Sequence, residues 1–256
     1  MAQMGYHSPS TQFIEALRQM TLSSPKTGST YFDVKIKSEH TDRGRALRIS
    51  NYSKYIDETA KRSTFLEIGP GSGTMIEIAR NSGFQNFLIY DNDKGVVDHI
   101  QNRFGINSHL THDVIHELAS VPDFSIDLSV ATHVLEHFPS PDLIRLLSVL
   151  RNKLAVGGIF LVEMPNIACP LGGVPSFYSD ATHRSPLTSE GLLQAFRLAG
   201  WSDVEARPFR PPFRPGFLIS YARYLMTKAV GTVANILGGV RVIRSPSYFI
   251  VARAAP

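Results

Sequence analysis

Four short apolar, β-rich runs recur through the middle of the chain with helix-like segments between them: TFLEIG (64–69), NFLIYD (86–91), IDLSVAT (126–132) and GIFLVEM (158–164). Parallel strands are buried on both faces and need a crossover between neighbours. The alternation therefore predicts an α/β fold with a parallel sheet covered by helices. A weaker run, NSHLTHD (107–113), predicts a further strand. Ser140, Pro141 and Asp142 mark a helix start, and Gly157 and Gly158 are expected to stop that helix. Thr188 opens another helix and Gly200 ends it. VEARPF (204–209) and SYFIVARA (247–254) predict two late strands flanking a long insertion. Ahead of the first strand, Phe13, Ile14 and Leu17 stand at helical spacing, followed by the aromatics Tyr31, Phe32, Tyr52 and Tyr55. Residues 1–62 are expected to form a helical cap or lid, with a helical pair packed on the sheet edge as the plainer alternative.

Composition narrows the class. A chain of 256 residues, 43% hydrophobic and 19% charged, can bury a substantial core. The longest stretch without a charged residue is 16 residues, 164–179, and Pro165, Pro170 and Pro175 interrupt it, so no transmembrane helix is expected. The first residues lack a basic segment, an apolar run and a small-residue cleavage site, so no secretory signal is read there. Cys169 is the single cysteine, which rules out an intrachain disulfide and fits a reducing, cytoplasmic location. The net charge of +4 is unevenly placed: residues 206–256 hold seven Arg and one Lys with no Asp or Glu, so the preceding 205 carry +4 − 8 = −4. A basic end of this kind suits an anionic surface or ligand, unless its cations simply sit on solvated faces.

The chemistry starts at LEIGPGSG (66–73), where Gly69, Gly71 and Gly73 follow a strand and precede a helix, with Glu67 two residues ahead. A phosphate-binding loop ends in Gly-Lys-Ser/Thr, whereas Gly73-Thr74-Met75 has no lysine. The dinucleotide fingerprint wants Gly or Ala where Thr74 stands, and it places a pyrophosphate beside the acid, where the two negative charges repel. A ligand with adenosine at one end and cationic groups at the other turns that repulsion into attraction. S-adenosylmethionine is such a ligand.

LEIGPGSG resembles the first signature of class I S-adenosylmethionine-dependent methyltransferases, and the resemblance extends in order over roughly 62–208. It implies a Rossmann-like fold with a mostly parallel seven-stranded sheet: a core over 63–208, a basic amphipathic insertion over 209–246 and a last strand over 247–256. Asp91, 20 residues beyond Gly71, would accept hydrogen bonds from the ribose hydroxyls, with Asn92 beside it and Asp93 as the alternative acceptor. Asp113 and the backbone of Val114 would meet the adenine edge, and Thr132 and His133 would line the pocket after the fourth strand. VLEHF (134–138) resembles a segment common in the superfamily; Glu136 and His137 are expected to orient a helix rather than to react. No HExxH and no paired Cys/His spacing occurs, so no metal is expected.

The loop after the fifth strand should face the transferable methyl. Its pattern, Pro165-Asn166, then Asp180-x-Thr182-His183, then Pro186-Leu187-Thr188 and a helix ending Ala199-Gly200-Trp201, resembles a bacterial methyltransferase branch associated with polysaccharide and glycolipid assembly. That implies a sugar hydroxyl of a glycan or glycolipid as acceptor. His183 is the candidate general base with Asp180 orienting it, and the competing reading has Asp180, Thr182 and His183 only pinning the loop. In GFLISYARYLMTKAVGTVANIL (216–237), Ser220, Arg223, Thr227, Gly231 and Asn235 form one stripe and leave a broad apolar face. That face suits peripheral contact with an anionic membrane, or burial against the core or a second subunit of a homodimer. Two other functions stay open: a small-molecule O- or N-methyltransferase, and a cofactor-binding adaptor without catalysis. Nucleic-acid methylation is disfavoured, because THVLEH stands where an Asn/Asp-Pro-Pro-aromatic tetrad would follow the fourth strand.

Overall fold

A computed structural model of the protein describes residues 42–59, 64–239, 243 and 245–254. The expectations for Phe13, Ile14, Leu17, Tyr31 and Phe32 lie outside the described residues. Seven strands form one sheet: β1 Thr64–Ile68, β2 Asn86–Asp91, β3 Ser108–Leu110, β4 Ile126–Thr132, β5 Leu154–Pro165, β6 Asp203–Pro208 and β7 Ser247–Arg253. Their order is β3-β2-β1-β4-β5-β7-β6, and β7 runs antiparallel to both of its neighbours. The other pairings are parallel. This is the helix-covered, largely parallel sheet the alternation pattern predicts and the Rossmann-like arrangement the resemblance implies.

The helices are α1 Asp42–Thr59, α2 Thr74–Asn81, α3 Lys94–Phe104, α4 Val114–Ser120, α5 Ser140–Lys153, α6 Gly173–Tyr178, α7 Ser189–Leu198 and α8 Leu218–Gly238. Side chains alternate across each strand, so one strand feeds two cores. Phe65, Ile89, Leu128 and Leu161 pack with Tyr52 and Ile56 of α1 and Ile76 of α2. Leu66, Phe160, Val162 and Ile250 pack on the opposite face with Leu118, Leu147, Phe196 and Trp201. The described part of the N-terminal segment, α1, is thus built into a core, with Tyr52 and Ile56 almost fully buried.

Two local expectations are corrected. The helix α5 ends at Lys153, before the glycine pair, and the chain enters β5 at Leu154. Gly157 and Gly158 instead serve a break in strand register between Ile126 and Leu128: Gly157 takes φ 71°, and a Cβ on Gly158 would meet the carbonyl oxygens of Ala155 at 2.8 Å and Ile126 at 3.0 Å. The second correction concerns α8. Only Thr227 and Gly231 of this helix are buried, and both belong to its small, polar stripe. Its apolar residues Ile219, Met226, Val233, Ile236 and Leu237 are exposed, so the core does not cover that face. Among the described residues, no helix is long and apolar enough to cross a membrane.

Candidate functional site

The chain winds outward from β1 through β2 to β3, then returns to the other side of β1 for β4. Such a switch point opens a crevice beyond the carboxyl ends of β1 and β4. The depression of about 850 Å³ lined by Thr64, Phe84, Asn107 and Ser125 lies at the opposite, amino ends of the strands and is not part of this crevice.

The turn after β1 is held by glycine geometry. Gly69, Gly71 and Gly73 all take positive φ, at 67°, 53° and 78°. A Cβ on Gly69 would stand 2.4 Å from Val134 Cγ2, and one on Gly73 would stand 2.3 Å from Phe104 Cε2. The turn therefore nests against the loop after β4 at a distance only glycine allows. Glu67, the penultimate residue of β1, is 1% exposed, and its Oε2 has no hydrogen-bond partner. Burial pushes its carboxyl up to about 8; Arg48 from α1 pulls it down in part, and the charge of Asp91 adds to the rise. Asp91 closes β2 and accepts the backbone N–H of Asp93 at 2.8 Å. Burial raises its carboxyl to about 6 against that hydrogen bond. Asp93 caps α3 by accepting the N–H of Gly95 at 2.6 Å, which occupies the alternative ribose acceptor with a structural task. Asn92 is exposed in the turn between them. Asp113, also exposed, caps α4 through the N–H of His116 at 3.0 Å, and buried Val114 begins that helix. Both stand past the carboxyl end of β3, along the same rim as Asp91.

Thr132 ends β4 opposite Glu163 of β5. His133 follows with φ 57°, a strained value for a residue with a Cβ, and its side chain is 40% exposed. Its Nε2 lies 3.1 Å from Glu163 Oε1 and its Nδ1 3.4 Å from Glu136 Oε1. Burial opposes a charge on this imidazole, but the flanking carboxylates, Glu163 foremost, outweigh it and hold His133 well above the ordinary imidazole range. Glu163 is driven the other way: burial alone would raise it, and His133, with Arg48 and Tyr52, holds it well below the usual carboxylate range. Tyr52 donates its hydroxyl to Glu163 Oε2 at 2.7 Å, and Arg48 Nε stands 3.9 Å from the same oxygen. Helix α1 thereby contributes two polar side chains to the carboxyl ends of the central strands.

A second cluster joins the loop after β4 to the loop after β5. Glu136 and His137 lie in a single 3₁₀ turn, Leu135–His137, and the carbonyl of Glu136 accepts the N–H groups of Arg184 (2.6 Å) and Ser185 (3.0 Å). The His183 ring packs on Phe177 and on His137, with centroids 4.9 and 4.7 Å away. His183 Nδ1 lies 2.6 Å from the Phe177 carbonyl, so it carries the proton and Nε2 is the basic nitrogen. That nitrogen faces Glu136 Oε1 at 3.9 Å and Asp180 Oδ2 at 4.0 Å. The Phe177 carbonyl, not Asp180, orients the ring through a hydrogen bond. Asp180 Oδ1 instead accepts from the backbone and hydroxyl of Thr182 at 2.9 and 2.6 Å.

The family model described as a methyltransferase domain matches residues 40–206. The chain belongs to this methyltransferase family. No curated protein sequence matches the methyltransferase. Among solved structures, it is similar to an S-adenosylmethionine-dependent methyltransferase from Archaeoglobus fulgidus: TM-score 0.66, 22% identity, covering 87% of this chain and 99% of that one. One from Mesorhizobium loti superposes with a TM-score of 0.56 at 15% identity, over 81% of this chain and 97% of that one. Phosphoethanolamine N-methyltransferase 2 of Haemonchus contortus, solved with S-adenosylhomocysteine, gives 0.55 at 16% identity, over 91% and 61% of the two chains. These likenesses establish the shared fold.

Three polar residues at the candidate site escaped sequence reasoning. Arg48 and Tyr52 belong to a helix whose docking no local pattern announces. Glu163 did carry a signal: an acid inside the apolar run GIFLVEM must find partners once the strand is buried. Glu136 and His137, expected only to orient a helix, share a cluster with His183.

Proposed function

We propose that the methyltransferase moves the methyl group of S-adenosylmethionine to a sugar hydroxyl of a cell-surface glycan or its lipid-linked precursor. The observation that carries the donor half is Glu67, a buried carboxyl with one unpartnered oxygen beside the glycine turn. A cationic ligand stabilises its ionised form, whereas a pyrophosphate would oppose it. Gly69, Gly71 and Gly73 let the ligand approach the backbone, Asp91 and Asn92 take the ribose, and Asp113 with Val114 takes the adenine edge. Thr132 and His133 line the pocket towards the acceptor.

S-adenosylmethionine supplies an electrophilic methyl carbon on a sulfonium centre. The side chains have to hold an acceptor oxygen in line with that carbon and keep water out. His183 and Asp180 serve the acceptor side, in company with Glu136 and His137. Since the basic nitrogen of His183 turns towards Glu136 and Asp180, this side chain acts through the cluster rather than as a lone base.

Helix α8 supports a lipid-linked acceptor. Its apolar face is exposed, and residues 206–256 carry +8 with no acid, a combination that suits peripheral contact with an anionic membrane. Labelled S-adenosylmethionine, incubated with nucleotide sugars and with bacterial membrane extracts, should pass label to a sugar-containing fraction. Calorimetric binding of the donor with no labelled product in either pool would refute the reading in favour of a non-catalytic adaptor.

A further inference from the structure

We infer that Glu136, His137 and His183 form a binding site for one divalent transition-metal ion. One carboxylate oxygen and one nitrogen from each imidazole lie within 4.8 Å of one another. Ligands bound to a common ion at about 2.0–2.2 Å stand roughly 3–4 Å apart, so a small inward movement of the two rings closes the shell. The 3.9 Å between His183 Nε2 and Glu136 Oε1 is too long for a hydrogen bond and falls within that span.

The independent observation is the state of Glu136. Its side chain is fully buried and neither carboxylate oxygen makes a hydrogen bond; the nearest cationic group is His133, whose Nδ1 stands 3.4 Å from Oε1. A buried carboxylate needs close partners, and His133, shared with Glu163 through Nε2 at 3.1 Å, faces only Oε1 of Glu136, at 3.4 Å. A cation between Glu136 and the two imidazoles would give this carboxylate a close partner in addition to the distant, shared His133.

Both imidazoles are also preset as ligands. His183 donates Nδ1–H to the Phe177 carbonyl, which leaves the Nε2 lone pair pointing at Glu136. His137 Nδ1 lies 2.9 Å from Thr182 Oγ1, and that hydroxyl donates its own proton to Asp180 Oδ1 at 2.6 Å. Thr182 must therefore accept from His137, which fixes the Nδ1–H tautomer and frees Nε2. Ligating histidines characteristically give their second N–H to a carbonyl or a carboxylate-linked group in this way. Two imidazoles and one carboxylate favour Zn²⁺, Co²⁺, Fe²⁺ or Mn²⁺ over the oxygen-seeking Mg²⁺ and Ca²⁺. Three protein ligands leave positions for water or an acceptor oxygen. That last role rests on the methyl-transfer reading; the metal site itself does not.

The test uses the full chain, stripped with a chelator and dialysed. Titration with Co²⁺, followed by its visible absorption, and with Zn²⁺, followed by calorimetry, should each saturate at one equivalent. His183→Ala and Glu136→Gln should weaken binding at least about 100-fold, and Thr182→Val, which removes only the relay to His137, by about 10–100-fold. Circular dichroism and calorimetric donor binding report whether each variant is folded. If Glu136→Gln does not fold, His183→Ala and Thr182→Val decide. No saturable Co²⁺ binding by folded wild-type protein overturns the inference, as do folded variants that bind as tightly as wild type. Donor binding without metal binding sinks this inference alone, whereas metal binding without donor binding sinks the methyl-transfer reading alone.

Discussion

Glu67 gives the proposed donor site a measurable pH signature. With its carboxyl pushed to about 8 in the ligand-free protein, the group is largely protonated at neutral pH. The ionised fraction is about 3% at pH 6.5 and about 24% at pH 7.5. If the cationic donor binds the ionised form, its affinity should rise about eightfold over that interval, about 1.2 kcal/mol. Asp91, raised to about 6, goes from about 76% to about 97% ionised over the same interval and adds only about 1.3-fold. Calorimetry at several pH values, in buffers of differing ionisation enthalpy, should also record release of about 0.9 proton per donor bound at pH 7. Glu67→Gln should remove both effects. The donor's own ammonium titrates alike in the two proteins, so the wild-type to variant affinity ratio isolates Glu67. The sign for stability runs the other way. A carboxyl raised on folding disfavours the folded, ligand-free state as pH climbs from its ordinary value towards 8, so wild-type Tm should fall between pH 6 and 8 while that of Glu67→Gln stays flatter. An affinity ratio that does not change with pH, with equal proton release in both proteins, would refute the reasoning.

Three further perturbations probe separate parts of the molecule. Gly69→Ala places a methyl 2.4 Å from Val134 Cγ2 at φ 67°, and urea unfolding should show a loss of about 1–3 kcal/mol, only part of which Val134→Ala restores. Tyr52→Phe removes the buried hydroxyl donated to Glu163, and the same assay should record a loss of about 1–3 kcal/mol; a change below about 0.5 kcal/mol would show that this bond does not matter to folding. In flotation with anionic vesicles, Ile236→Asp with Leu237→Asp should cut binding by at least about tenfold, and wild-type binding should weaken as salt shortens the Debye length. Vesicle binding unchanged by the double substitution would move the contact away from α8.

The strands were legible because burial on both faces leaves a continuous apolar signature, as in FLEI and FLIY. The geometry of the proposed donor rim was legible because glycines at positive φ and an acid at a strand end are local requirements: Gly69 and Asp91 each sit within a few residues of what demands them. The acceptor side obeys no such rule. Glu163 faces α1 rather than α5 because of strand parity, yet its partners Tyr52 and Arg48 lie 111 and 115 residues away, joined to it only when α1 docks on the sheet. The Glu136, His137 and His183 cluster hides for the same reason, since two of its members are adjacent and the third is 46 residues on, at a spacing no single-helix motif contains. What sequence spacing records is chemistry built on one element. Chemistry assembled across separate elements is recorded only in the fold.

Helix α8 shows that a stripe pattern does not by itself say which face packs inward. Ser220, Arg223, Thr227, Gly231 and Asn235 do form one stripe, and a polar stripe on an amphipathic helix normally faces water. Here Thr227 and Gly231 from that stripe are the buried residues, while Ile236 and Leu237 stand 73% and 83% exposed. Small side chains let the helix backbone approach the body of the protein, so the stripe is chosen for size rather than polarity. The apolar residues are then left pointing outward, an arrangement water alone would not favour. Arg207 and Arg253 are engaged in ion pairs with Glu205 and Glu58. Arg210, Arg214, Arg223 and Lys228, however, flank or sit on the helix with no acid between residues 206 and 256. The proposed anionic lipid contact therefore predicts salt-sensitive vesicle binding, whereas a second subunit of the same charge predicts none.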